Sequence, residues 1–256
     1  MRSAHRWIAA LLLVPAGLLA SAVLATKTGP FRHWVMATER RLARHGDPEL
    51  EALPSMVWAH RGLRGPSAPA NSAEAMRAAA DAGFSGVEMD LRWRDGALIV
   101  AHDANEPGQP FAAVVAGVSP GQYVWLDFKQ LSESVARESA PSLQRQLPVA
   151  LRARTFVESA SLPGLAVLRA ALPGTRSIYT TRRWQWTRFS LGYVGLLHDI
   201  EQHQISVLGF PAAELSPEVA RALDGIGVFT WTTNDPNKLA QQRALGVDVI
   251  LTDRLP

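Results

Sequence analysis

FSGVEMDLRWRDGALIVAHD, residues 84–103, is the segment from which the architecture can be worked out. Its first half alternates as a strand does, and side chains two apart in a strand point the same way, so Glu88 and Asp90 share a face. Arg94-Asp95-Gly96 is a turn signal, and residues 97–101 form a second apolar run, so the segment folds back as a hairpin. The return brings His102 and Asp103 towards the two carboxylates. Two acids on one face with an imidazole brought back to them suit a hard cation beside a proton carrier. Taken alone, the acid pair would read as a solvated strand face, and the rest of the chain decides between the two.

On either side of this hairpin the pattern is regular. Residues 56–59 are a short apolar strand ending in His60-Arg61-Gly62, and Asn71 or Ser72 can cap an alanine-rich helix that Gly83 closes. After a loop-rich stretch with a short helix near residues 111–116, YVWLDF (residues 123–128) reads as a strand carrying Asp127, followed by Lys129. Residues 131–151 are expected to be helical with interruptions at Pro141 and Pro148. Further strands centre near Phe156, Ile178, Val207, Phe229 and Val249, with helical stretches between them. Asp235 caps the last of these helices, with Pro236 at its first position. With the strands near Val57, Val87 and Trp125, the crossovers imply a parallel α/β sheet of eight units, enough to close into a distorted (β/α)8 TIM barrel. Chemistry in such a barrel sits at the C-terminal ends of the strands, where His60, Glu88, Asp90, Asp127 and Lys129 all fall.

The remaining sequence frames this domain, which is assigned to residues 55–256. Residues 1–25 read as a signal peptide or membrane anchor. Arg2, His5 and Arg6 precede an apolar run over residues 7–25 with small residues near its end. That run also meets the roughly 17–25 residues needed to span a bilayer. Cleavage would export the barrel to a periplasmic or other extracytoplasmic location. If residues 7–25 are retained, they give membrane association, and Lys27, Arg32, Arg40, Arg41 and Arg44 favour a cytoplasm-facing domain. Export is the favoured expectation. Residues 26–54 are a basic connector with a helix over residues 34–45. No helix follows the eighth strand in this sequence, and the connector helix is expected to cover that gap.

Composition excludes several classes. The 256 residues are 47% hydrophobic and 19% charged, as in an ordinary globular chain with a sizeable core. A net charge of +3 is compatible with anionic surfaces or phosphorylated substrates and is no nucleic-acid signature. The absence of cysteine excludes disulfides and thiolate zinc sites.

In order along the chain, WAHRG (residues 58–62), PANSAEA (69–75), GVEMDLRWRDGALIVAHD (86–103), WLDFK (125–129) and the tail FTWTTNDP…GVDVILTDRLP resemble the glycerophosphodiester phosphodiesterase family. Bacterial phosphatidylinositol-type phospholipases and sphingomyelinase-D-like enzymes are close relatives of that family. The resemblance implies a distorted (β/α)8 barrel that cleaves a small-molecule or lipid phosphodiester with one divalent cation, Ca2+ or Mg2+. It makes Glu88, Asp90 and Asp127 the metal ligands, and His60 and His102 the general base and general acid. Arg61 and Lys129 would grip the phosphate, and Trp231 would wall the substrate pocket. In the family, a neighbouring substrate hydroxyl is the nucleophile and a cyclic phosphate forms that water then opens. Independently of the resemblance, three carboxylates are hard ligands suited to Ca2+ or Mg2+. Arg and Lys beside a cation would stabilise the charge that develops on a phosphodiester.

Three positions depart from the family pattern. Its Pro-Glu-Asn reads Pro69-Ala70-Asn71, its third acidic ligand is the shorter Asp127, and the stretch between His102 and Asp127 is short. Three readings follow: a soluble-diester phosphodiesterase, a phospholipase-D-like enzyme on intact lipids, or a silent barrel that binds phosphoesters or membranes. The survival of both histidines, the acid pair and Lys129 favours activity. A basic aromatic loop (Arg182, Arg183, Trp184, Trp186, Arg188) follows the fifth strand. Glu158 is expected near the site, and Asp253 is expected to make a structural hydrogen bond at the barrel mouth.

Overall fold

The structure, a computed structural model, describes residues 29–42, 56–181, 191–223 and 226–255. A helix, α1 (Gly29–Leu42), precedes β1 (Met56–Ala59), α2 (Ala73–Asp81) and β2 (Gly86–Arg94). β2 turns through Asp95-Gly96 into β3 (Ala97–Val100), which pairs antiparallel with it and with the short β4 (Gln109–Pro110). There follow α3 (Phe111–Val115), β5 (Tyr123–Phe128), α4 (Glu133–Gln146), α5 (Val149–Arg152), β6 (Thr155–Ser159), α6 (Leu162–Ala171) and β7 (Arg176–Thr180). The chain continues through α7 (Leu191–His203), β8 (Val207–Pro211), α8 (Pro217–Ala222), β9 (Gly227–Trp231), α9 (Pro236–Ala244) and β10 (Val249–Thr252). β1, β2 and β5 to β10 pair in parallel, and β1 bonds both β10 and β2, so these eight strands close on themselves. The expected TIM barrel is the fold, and the hairpin β2–β3 is the irregular part of it.

Register explains how the barrel is filled. Glu88 is level with Trp125 and Asp90 with Asp127 across β2 and β5, while Asp127 is level with Glu158 across β5 and β6. With a period of two, every second residue faces inward. The lower inward positions hold Trp58, Trp125, Phe156, Ile178, Val207, Phe229, Val249 and Leu251, which pack as one apolar cluster. Each large side chain removed from water there contributes roughly 1.5–3 kcal/mol. The next inward positions, nearer the strand ends, change to Glu88, Asp90, Asp127, Glu158 and Thr180. The outward residues form two further apolar clusters against the helices.

Local chemistry sets the element ends. Ser72, Ser132, Ser161 and Ser216 each accept a backbone N–H as N-caps of α2, α4, α6 and α8, and Asp235 caps α9. The expected break at Pro141 does not occur, because α4 runs through it. Pro141 lies on the exposed face, and Ala136, Ser139, Ala140 and Leu143 anchor the opposite face. The break falls at Pro148, which caps α5. The connector helix also differs from expectation. α1 packs on α7, with Val35 buried among Tyr193, Leu196 and Leu197 and Phe31 against the same cluster, rather than at the seam between β10 and β1. Phe31, Val35 and Thr38 stand at helical spacing, which gives α1 one inward stripe for that neighbour. None of the described helices is long and apolar enough to cross a membrane. Residues 1–25 and the basic aromatic loop lie outside the described residues.

Candidate active site

The site is assembled at the C-terminal ends of β1, β2 and β5, with contributions from the segments after β9 and β10. Oxygens of Glu88, Asp90 and Asp127 lie within 4.8 Å of one another. Glu88 and Asp90 are only 2% and 1% exposed. Burial, followed by the charges of Asp90 and Asp127, pushes the Glu88 carboxyl well above its usual range. Asp127 is also raised, chiefly by burial and against the pull of Lys129. Burial acts the same way on Asp90, but Lys129, Asn71 and Arg61 outweigh it and hold Asp90 below its usual value.

Lys129 Nζ bridges Asp90 Oδ1, at 2.9 Å, and Asp127 Oδ2. The two aspartates raise its pKa in spite of burial. The Lys129 ammonium and the Arg61 guanidinium against three crowded carboxylates still leave an excess of negative charge in a desolvated place. A divalent cation would neutralise that excess, and an all-oxygen donor set matches Ca2+ or Mg2+. The residues present therefore fit the cation that the sequence resemblance implies.

Arg61 adopts a left-handed backbone (φ 58°) that aims its N–H at Glu88 Oε2, 2.8 Å away. Its Nε lies 3.0 Å from Asp90 Oδ2 as a buried ion pair that is not aligned for a hydrogen bond. The turn is tight because Gly62 (φ 71°) lies against α2, where a Cβ would sit 2.6 Å from the carbonyl carbon of Ala75. Ser72 takes the helix cap, which leaves Asn71 free for the site. Its Nδ2 donates to Asp90 Oδ2 at 2.8 Å, and its Oδ1 accepts from the Asp90 N–H at 3.1 Å.

His60 Nδ1 is 2.9 Å from Asp253 Oδ1, and its Nε2 is 3.9 Å from Glu88 Oε2. An ionised carboxylate can only accept, so Nδ1 carries the proton and Nε2 presents its lone pair to the carboxylate cluster. Burial lowers the His60 pKa and the bond to Asp253 opposes it, with a net fall that keeps the ring neutral. Asp253 is in turn held by Asn234 Nδ2 at 2.8 Å, and Asn234 Oδ1 accepts from the Asp253 N–H and Thr252 Oγ1. Asp253 is thus an anchor for His60 rather than the plain mouth contact expected from sequence. Its one sequence signal was its place at the end of the last strand.

The hairpin brings His102 back alongside β2, where the neighbouring Ala101 N–H donates to the Asp90 carbonyl at 3.0 Å. His102 Nδ1 is 2.9 Å from Asp103 Oδ1 and its N–H donates to Glu106 Oε2 at 2.8 Å. Trp231 stands edge-on to Trp125, with ring centroids 5.9 Å apart. Trp125 Nε1 donates to Glu158 Oε2 at 2.8 Å, and Thr180 Oγ1 donates to Glu158 Oε1 at 2.9 Å. Burial, then the charge of Asp127, pushes the Glu158 carboxyl up to about 8. Gly209 makes room for this group, since a Cβ there would lie 3.0 Å from the Trp231 ring and 3.1 Å from Glu158 Oε1. Beside Asp127 and Lys129 a cavity of about 360 Å³ opens, bordered by Ser159, Ser161 and Thr180.

Residues 60–150, which hold both histidines, the three acids, Arg61 and Lys129, match the model of the glycerophosphoryl diester phosphodiesterase family. The enzyme class that goes with it is phosphoric diester hydrolase. Among solved structures, the barrel is similar to a phosphodiesterase from Oleispira antarctica in complex with the product sn-glycerol-3-phosphate. The two are 18% identical, over 80% of this chain and 95% of that one, with a TM-score of 0.65. A glycerophosphodiester phosphodiesterase from Parabacteroides distasonis is 17% identical over 78% of this chain and 93% of its own, with a TM-score of 0.62. One from Thermotoga maritima is 21% identical over 78% and 95%, with a TM-score of 0.59. At these identities the glycerophosphodiester phosphodiesterase likeness is one of fold. No curated protein matches the chain.

Proposed function

We propose that this protein hydrolyses glycerophosphodiesters to glycerol 3-phosphate and an alcohol, using one divalent cation and a pair of histidines. The observation that carries the reading is the meeting of three carboxylates within 4.8 Å with the free Nε2 of His60, which lies 3.9 Å from one of them. The product named in the Oleispira antarctica structure supports the same substrate class. Ca2+ or Mg2+ held by Glu88, Asp90 and Asp127 would supply Lewis-acid stabilisation of charge on the phosphoryl oxygens. Arg61 and Lys129 place two further positive charges where a phosphodiester would sit. Neutral His60 takes a proton at Nε2 from the attacking hydroxyl of the substrate. His102 gives one to the leaving alcohol oxygen as its P–O bond breaks. The roles then reverse as water opens the cyclic phosphate, with His102 taking the proton of the water and His60 returning one to the glycerol oxygen. Trp231 closes the side of the pocket. Export directed by residues 1–25 is part of the proposal and is testable by fractionation of a tagged full-length chain.

Hydrolysis of glycerophosphocholine and glycerophosphoethanolamine by residues 27–256, with Ca2+, Mg2+ or EDTA, tests the reading, with His60→Ala alongside. Turnover that requires both metal and His60 is expected, together with a rise in melting temperature when the cation is added. Turnover unchanged in EDTA would refute the metal role. A second reading, hydrolysis of intact lipids, is favoured by the scant cover over the site. Between β3 and β5 the chain carries only β4 and the five-residue α3, and the side chain of His102 is 39% exposed. Activity on lipid vesicles with none on the soluble diesters would establish it in place of the first.

A further inference from the structure

Arg92 and Arg94 follow Asp90 at two-residue steps, on the same face of β2 as the acid pair. Arg92 Nε donates to the carbonyls of Ala101 and His102, at 3.1 and 3.2 Å, and one terminal nitrogen donates again to the His102 carbonyl. Its other terminal nitrogen donates to Gln130 Oε1 at 3.0 Å. Arg94 likewise gathers the carbonyls of Ala104, Glu106 and Pro107, at 3.0, 2.7 and 2.6 Å. Among the described residues the His102 ring is bonded only to Asp103, which is itself 69% exposed. The ring therefore takes its place from its backbone, and Arg92 holds that backbone. Gln130 directly follows Lys129 and sits in the left-handed region (φ 57°), where its side chain reaches back to the same guanidinium.

We propose that Arg92 is the positioning residue for the proton donor: its guanidinium ties the His102 backbone to the turn after Lys129, fixing the acid relative to the phosphate site. This rests on the proposed role of His102 in protonating the leaving oxygen. The planar fork of five donors suits the task, since it spans two carbonyls and an amide in one fixed geometry, whereas a lysine ammonium is a compact charge on a flexible stem.

The test exploits the leaving group. An alkyl alcohol needs a proton as it departs, and p-nitrophenolate does not, so in the step that releases the leaving group a misplaced acid harms only the alkyl ester. General acid catalysis is worth about 10²–10⁴-fold, and Arg92→Lys is expected to lose roughly 10–100-fold in kcat on glycerophosphocholine. On the p-nitrophenyl ester of glycerol 3-phosphate the single-turnover release of p-nitrophenolate, which reports the first step alone, is expected to lose little, and His102→Ala should discriminate in the same way. Equal losses on both esters, or none on either, would overturn the inference. His102→Ala losing both equally would remove the acid assignment, and the inference with it. A readout independent of turnover is amide hydrogen exchange: residues 101–106 should exchange faster in Arg92→Lys while the barrel strands keep wild-type protection. Unchanged exchange in that loop overturns the clamp whether or not any ester is cleaved.

Discussion

Replacing Asp253 by Asn should disable His60 without removing it. Asn234 cannot turn to accommodate the change, because its Oδ1 already accepts from the Asp253 N–H at 2.8 Å and Thr252 Oγ1 at 3.0 Å. Its Nδ2 therefore keeps pointing at position 253. An asparagine there has one acceptor for two donors, Asn234 Nδ2 and His60 Nδ1–H. If the acceptor faces Asn234, its NH2 meets His60 Nδ1, and the imidazole must place its proton on Nε2, where a base needs a lone pair. Loss of a hydrogen bond to a charged group costs about 1.5–3 kcal/mol. At tenfold per about 1.4 kcal/mol, kcat should fall roughly 10- to 150-fold. Because Asp253 raises the His60 pKa, the acid limb of the pH–kcat/KM profile should also move to lower pH. The assay is steady-state hydrolysis of glycerophosphocholine by wild type, Asp253→Asn, His60→Ala and the double variant, at saturating cation. Residues that act as one unit are not additive, so the double variant should match His60→Ala. A double variant that multiplies the two losses, or Asp253→Asn with wild-type kcat, would refute the coupling.

Two further perturbations test other parts of the structure. Glu158, raised to about 8 from the ordinary glutamate value of 4.5, takes up a proton on folding, so its stabilising share is complete below pH 4.5 and is lost as pH rises through 8. At about 1.4 kcal/mol per unit this is at most roughly 5 kcal/mol. In EDTA the melting temperature should fall between pH 5 and pH 9, and Glu158→Gln, whose oxygen can accept from Trp125 while its amide donates to the Thr180 hydroxyl, should flatten the slope; an equal slope in both proteins would show that Glu158 is not its source. Gly62→Ala forces a side chain into a left-handed backbone and against the Ala75 carbonyl carbon at 2.6 Å. The expected cost is roughly 2–5 kcal/mol by urea unfolding, the sum of the backbone and overpacking penalties, and a loss below 1 kcal/mol would show that α2 can move aside.

The barrel and the hairpin were legible because both rest on local pattern: apolar alternation, turn residues and serine caps. The acid pair and His102 were legible for the same reason, being set on one hairpin by its register. What stayed hidden depends on closure or on competition between neighbours. Asp253 meets His60 only because β10 lies beside β1, with Trp58 level with Leu251 and the His60 N–H on the Thr252 carbonyl at 2.9 Å. Asn71 and Ser72 are both good caps, and only packing shows that Ser72 caps while Asn71 turns to Asp90. Arg92 carries no signal in the sequence, because its acceptors are carbonyls of the return loop and the side chain of Gln130. The partner of α1 was misjudged because an amphipathic stripe gives a face and not a neighbour.

The contact between His60 and Asp253 joins residues 193 apart. Ribosomes make proteins from the N-terminus, so the base emerges early and its anchoring carboxylate emerges with the last strand. Until β10 pairs with β1, Asp253 is not there to fix the proton of His60 on Nδ1. The proposed base is thereby completed only when the barrel closes, and turnover would report on completed folding rather than on synthesis.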